Sequence, residues 1–335
     1  METFIPRAVP SRTGMQAVSF ADGTRLHVLP EGGRVLGLRP GDDADNFFWA
    51  NPAPDSAGGT WPNPGGDRTW LAPEIELFIG DLARPAETYA VQPALDPGNW
   101  TLAAATDNEL CLTHSTRLRL HRSGGEIGVR LSKSYRAAVN PLSMSGLQYA
   151  GYTQQTTLEL EQGTHASLGI WNLLQLPQPG TMLIPTRTGS GPQLVFGQCT
   201  ADELTAAAGL VRWNMAAPGP DAKIALKAQA STGRAGHLRA TGDTRHPTRS
   251  TQQWDLVVRE FAVDPAANYV DALWEPPHET GWAFQACCVR NGSALFNELE
   301  YHAPAGCRKD ESRVWAFRGP ADAIADAAAI LLERK

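Results

Sequence analysis

Asn108–Arg122 reads NELCLTHSTRLRLHR, with leucine at 110, 112, 118 and 120 and mostly polar residues between them. Side chains on an extended chain point to opposite faces at successive positions, so this spacing predicts a strand with one buried and one wet face. The same grammar recurs on both sides of it. TRLHVL (24–29), the turn Pro-Glu-Gly-Gly, and RVLGLRP (34–40) predict a hairpin turning at Gly32-Gly33. TTLELEQG (156–163), ASLGIWNLLQL (166–176), GTMLIPT (180–186), PQLVFGQ (192–198), AKIALKAQ (222–229), QQWDLVVREFAV (252–263) and SALFNELEYHA (293–303) continue the series. Antiparallel sheets with one face packed on a core follow from it.

Helical signals are few. ADELTAAAGL (201–210) predicts a short helix. GPADAIADAAAILLER (319–334) predicts a closing helix on the sandwich edge, with Pro320 at its first position, Asp322 on the positive end of its dipole and Arg334 and Lys335 at the negative end. No repeat or linker divides the chain, and one all-β domain over residues 1–335 is expected.

Composition narrows the partners. Hydrophobic residues make up 42% of the 335 residues and charged residues 19%, the balance of an ordered protein. A net charge of -6 without a basic stripe argues against nucleic acid. Nothing approaches the roughly 18 apolar residues of a membrane span. The five cysteines, Cys111, Cys199, Cys287, Cys288 and Cys307, have neither disulfide nor zinc spacing. With an N-terminus lacking a leader pattern, they place the protein in the cytoplasm, with no metal and no cofactor. There is no GxGxxG, GxxxxGK[ST], GxSxG or HExxH, which disfavours nucleotide and hydrolase chemistry of those kinds. Oligomeric state is not legible.

Four runs carry residues suited to chemistry. WPNPGGDRTWLAPEIELF (61–78) offers the acceptors of Asp67, the donor fork of Arg68, the indoles of Trp61 and Trp70, and Glu74 and Glu76. That mixture suits a polyhydroxylated ligand, and equally an Arg–Asp pair closing a loop between core tryptophans. In ALFNELEYHAP (294–304), a strand puts Phe296, Glu298, Glu300 and His302 on one face. Two carboxyls and an imidazole there can tune one another for acid–base work, or can line the wet side of an edge strand. ASLGIWNLLQLP supplies Trp171, Gln175 and Asn172, an amide that needs partners if buried. NYVDALWEPPHETGW (268–282) gathers Asp271, Trp274, Glu275, His278, Glu279 and Trp282 in a loop that could form a cleft rim.

The order GGRVLGL, NFFWANP (46–52), NPGGDRTWLAPEIELF, LGIWNLLQLP, LIPTR and NELEYHAP, over roughly residues 20 to 318, resembles the galactose-mutarotase-like superfamily. It is similar to a branch with a GGDR- or GGHK-type motif followed by W-x-x-P-E/Q. The resemblance implies a β-supersandwich with a short C-terminal helix and a concave face that binds a small-molecule carbohydrate. It implies that Arg68 holds hydroxyls, and that Glu300, in Leu299–Pro304, is the general base of an LExQxxP-like motif. Here His302 replaces the Gln and one spacer is missing. The family's acid is a histidine in an NHTYFNL-like strand, and Gly169–Leu173 has none. His302 or His278 is then expected as the acid, with Asp67, Trp70, Glu74, Trp171, Asn172, Trp282 and Glu298 contacting the sugar. The functions to weigh are an epimerase-like isomerase, a non-catalytic sugar-binding module, and a lyase or hydrolase acting on a sugar derivative.

Overall fold

The computed structural model describes residues 9–52, 61–162, 167–187, 191–241, 253–271, 281–292 and 294–333. Within them the chain forms two antiparallel sheets. The first runs, edge to edge, β1 (Gln16–Ser19), β2 (Arg25–Leu29), β3 (Arg34–Arg39), β4 (Asp67–Ala72), β9 (Gly169–Pro177), β18 (Phe296–His302), β17 (Phe284–Val289), β14 (Ala222–Leu226) and β11 (Gln193–Phe196). The second runs β12 (Leu204–Ala207), β13 (Leu210–Met215), β10 (Gly180–Pro185), β15 (Arg234–Thr241), β16 (Gln253–Phe261), β19 (Lys309–Pro320), β8 (Gln148–Leu160), β7 (Glu126–Ala137), β6 (Glu109–Arg119) and β5 (Thr101–Ala105). The expected all-β architecture with a closing helix is what forms. No helix among the described residues is long and apolar enough to cross a membrane.

The hairpin expected at Gly32-Gly33 joins β2 to β3, and both glycines have positive φ. Leu110, Leu112 and Leu118 of the opening stretch lie in β6 and are fully buried. They join a core between the sheets that includes Leu26, Leu131, Tyr152, Leu174, Met182, Trp213, Ile224, Phe284, Leu299 and Val314. β9 and β18 are buried along their whole length. Both are interior strands covered on two faces, which is why LGIWNLLQL reads as a nearly unbroken apolar run. The wet edge-strand reading of β18 is thereby corrected: it lies hydrogen-bonded between β9 and β17.

Two other expectations are corrected. Residues 201–210 form no helix but the β12–β13 hairpin, turning at Ala208 and Gly209 with φ of 51° and 80°. Positive φ at both turn residues suits a two-residue hairpin, and burial of Val211, Trp213 and Met215 on one face of β13 outweighs the helical propensity of the alanines. The C-terminal helix (Ala321–Ala328), with a final turn to Glu333, is capped by Pro320 rather than containing it. It covers a face of the second sheet rather than its edge: Ile324, Ala327, Leu331 and Leu332 pack on Leu183, Leu256, Val258, Trp315 and Phe317.

Candidate functional site

Alternation along the first sheet sorts its polar residues onto two sides. Facing the second sheet, Asp67 is fully buried and pairs with Arg259 at 2.8 Å while accepting from the Tyr152 hydroxyl. Arg259 also donates to Ser312 at 3.1 Å. Asn172 lies on the same side. Its Oδ1 accepts from Thr69 at 2.6 Å and Gln154 at 2.8 Å, and its Nδ2 donates to Tyr301 at 2.7 Å and Asp310 at 3.2 Å. The structure therefore does not bring Asp67 and Asn172 to the face that holds Arg68. They satisfy a polar seam inside the sandwich, as buried groups must.

The outer side of the same strands carries the candidate site. Arg68 of β4 donates from Nη1 to Glu298 of β18 at 2.6 Å, and Gln175 of β9 donates to the same oxygen at 2.9 Å. The Arg68 guanidinium lies 4.2 Å from the Trp70 ring and 5.2 Å from the Trp61 ring. Those indoles cradle the cation. Two residues along β18, Glu300 accepts from Trp171 Nε1 at 3.0 Å and stands 3.0 Å from Lys223 Nζ. His302 follows on the same face, its ring stacked on Trp171 with centroids 5.3 Å apart. Arg68 and Glu300 thus share one surface although 232 positions separate them in the chain, and each is already ion-paired.

Segments outside the sheet roof this surface. After β4 the short helix α1 (Glu74–Leu77) carries Glu74 back over it. The Glu74 Oε2 atom lies 3.8 Å from Lys223 Nζ, and Oε1 accepts from the Tyr89 hydroxyl at 3.1 Å. Asp271 accepts from the Glu74 backbone N–H at 3.0 Å and from Gln285 at 2.9 Å, and lies 3.6 Å from His302 Nε2. Trp282 packs beside the cluster on Ile79 and Ala225 and donates to Gln193 at 2.8 Å. His278 lies outside the described residues.

Four carboxyls, of Glu74, Asp271, Glu298 and Glu300, here face two cations, Arg68 and Lys223, and all six side chains are buried. The imbalance is relieved by protons. Burial pushes Glu74 up to about 7, with Lys223 opposing and Asp271 and Glu300 adding to the rise. Burial likewise pushes Glu300 up to about 7 against the pull of Lys223, with Glu298 adding. For Lys223 the partners prevail: burial would lower it, but Glu300 and Glu74 raise it above its ordinary value. His302 is pushed down to about 4 by burial, with Asp271 opposing, so it is neutral at pH 7 and is not a cationic acid there. Both of its ring nitrogens, and Arg68 Nε, lack a hydrogen-bond partner among the described residues.

Cys287 Sγ and oxygens of Glu298 and Glu300 lie within 4.8 Å of one another. Lys223 and Arg68 already supply the positive charge at those oxygens, and burial holds the thiol well above its usual range, so the arrangement is an ion-pair network. Lys223 is the residue that sequence reasoning missed. The signal was the alternation of AKIAL, which sets Lys223 on the side opposite Ala222 and Ile224.

No protein-family model matches the sequence, and no curated protein does. Among solved structures, a galactose mutarotase-like protein from Lactobacillus casei is similar over 91% of this chain and 99% of its own, with 11% identity and a TM-score of 0.38. A galactose mutarotase related enzyme from Lactobacillus acidophilus is similar over 92% and 98%, with 6% identity and a TM-score of 0.44. An aldose epimerase homologue from C. elegans is similar over 91% and 98%, with 10% identity and a TM-score of 0.41.

Proposed function

We propose that the outer face of the first sheet binds a sugar and moves a proton on it, in the manner of an aldose 1-epimerase-like isomerase, the whole chain acting as one carbohydrate-active unit in the cytoplasm. Glu300 is the general base. A carboxyl near 7 keeps a useful fraction ionised at neutral pH while remaining basic enough to accept a hydroxyl proton. Arg68 orients hydroxyls through the Nε donor left over from its pairing with Glu298. Five free cysteines fit a reducing compartment.

The observation that carries this reading is the position of Glu300, buried and held from two sides by Trp171 and Lys223, on the face that also presents Arg68. Polarimetry tests it. Wild-type protein should speed the relaxation of freshly dissolved α-glucose or α-galactose, and Glu300→Gln should lose that acceleration by on the order of a hundredfold while folding normally. Equal rates for the two proteins would refute the role of Glu300.

A sugar-binding module without turnover is favoured by one observation: His302 is neutral, so the expected imidazole acid is missing from the described site. Calorimetric binding of an aldose with no change in its relaxation would select this second reading.

A further inference from the structure

Resting on the proton-transfer reading above, we propose that the Glu74 carboxyl is the proton donor that works with Glu300, and that Lys223 is their shared counter-ion. The geometry is specific. Lys223 Nζ stands 3.0 Å from Glu300 Oε2 and 3.8 Å from Glu74 Oε2, so one ammonium serves two carboxyls that arrive from different elements, β18 and α1. Tyr89 donates to Glu74 Oε1, and Oε2 is the oxygen turned toward Lys223. Asp271 holds the Glu74 backbone N–H and Tyr89 holds its carboxyl, so the side chain is fixed at both ends.

The charge arrangement favours a single shared proton. Glu74 faces Lys223, Asp271, Glu300 and the Tyr89 hydroxyl. Glu300 faces Lys223, Glu298, Arg68, the Cys287 thiol and the Trp171 indole N–H. With Lys223 between them, two ionised carboxyls leave one negative charge unpaired at that ammonium, and one proton removes it.

The step closes without any outside reagent. Glu300 takes the anomeric hydroxyl proton, whose electron pair forms the carbonyl at the anomeric carbon. The bond from that carbon to the ring oxygen breaks toward oxygen, and Glu74 gives its proton there. Rotation of the aldehyde and the reverse transfers close the ring as the other anomer and return both carboxyls to their starting state. The pair holds one proton before and after, and Lys223 sees the same total charge.

The test combines a titration with a rate profile. In the free wild-type protein, carbon-13 NMR of labelled glutamate should show the Glu74 carboxyl titrating near 7, and Glu300→Gln should move that midpoint down, because Glu300 contributes to raising it. The wild-type rate of aldose relaxation should fall on the alkaline side as Glu74 ionises. Glu74→Gln should remove that limb and lower the rate by on the order of a hundredfold, with Glu74→Asp recovering part of it. A Glu74 carboxyl that titrates in the ordinary carboxylate range, or a Glu74→Gln enzyme with an unchanged pH profile, overturns the proposal. A titration as expected in a protein that accelerates no aldose overturns the sugar reading and the donor role with it, while leaving the shared proton in place.

Discussion

Lys223 Nζ lies 3.0 Å from Glu300 Oε2, and both side chains are almost completely shielded from water. An ammonium and a carboxylate buried together are each other's chief source of solvation, so neither can be removed alone without cost.

Lys223→Met should therefore destabilise the fold by about 3 kcal/mol or more at pH 8, where Glu300 is charged in the wild type. The penalty should shrink toward pH 5, because without its cation Glu300 rises further and takes up a proton. Urea unfolding at the two pH values measures the difference. A penalty independent of pH would mean that Lys223 acts through packing alone.

Asp67→Asn should cost about 3–5 kcal/mol, because it leaves Arg259 buried beside a neutral amide inside the sandwich. Since Asp67 faces away from Arg68, turnover per folded molecule should stay within about twofold of wild type. Urea titration together with polarimetry on the refolded variant checks both halves. A selective loss of turnover in a stable variant would return Asp67 to the site.

His237 gives a stability slope in acid. It is buried against Asn297, and burial pushes it down to about 3 from an ordinary 6.5. Below 6.5 the unfolded chain takes up a proton that the folded chain refuses, so folding stability is lost as pH falls from 6.5 toward 3. The loss is about 1.4 kcal/mol per pH unit once well below 6.5. His237→Gln should have a correspondingly flatter profile across pH 6 to 4 in urea unfolding. Parallel profiles for the two proteins would show that the imidazole ionises in place.

Gly66 has φ of 77°, and a Cβ there would meet the Val35 carbonyl oxygen at 2.2 Å. Gly66→Ala should cost at least about 2 kcal/mol from backbone strain and overlap, without altering any charged group of the cluster. A thermal midpoint unchanged within a degree or so would contradict the close packing of β3 against the turn that leads into β4.

The strand series was legible where strands are half-buried and repeat every two residues, as β2 and β6 do. Alternation also contained the sorting of Asp67 from Arg68, two neighbours that belong to opposite sides of β4. Reading them as one polar pair ignored it. The role of Lys223 was harder to see. On its strand it is the wet-face residue, and only the roof formed by α1, far away in sequence, makes that face buried. Glu74 is the same case from the other direction, since its meeting with Glu300 depends on where α1 folds back. In 201–210, an alanine run that favours a helix in isolation was overruled by burial of Trp213 and its neighbours, a tertiary effect absent from local propensity.

The most direct test of the central claim is the relaxation of optical rotation of fresh α-glucose and α-galactose followed with equal amounts of wild type and Glu300→Gln at pH 7. The wild type should accelerate the relaxation over buffer and the variant should lose that acceleration almost completely, with circular dichroism unchanged. Acceleration that survives in Glu300→Gln, or none by the wild type over a panel of aldoses, would contradict it.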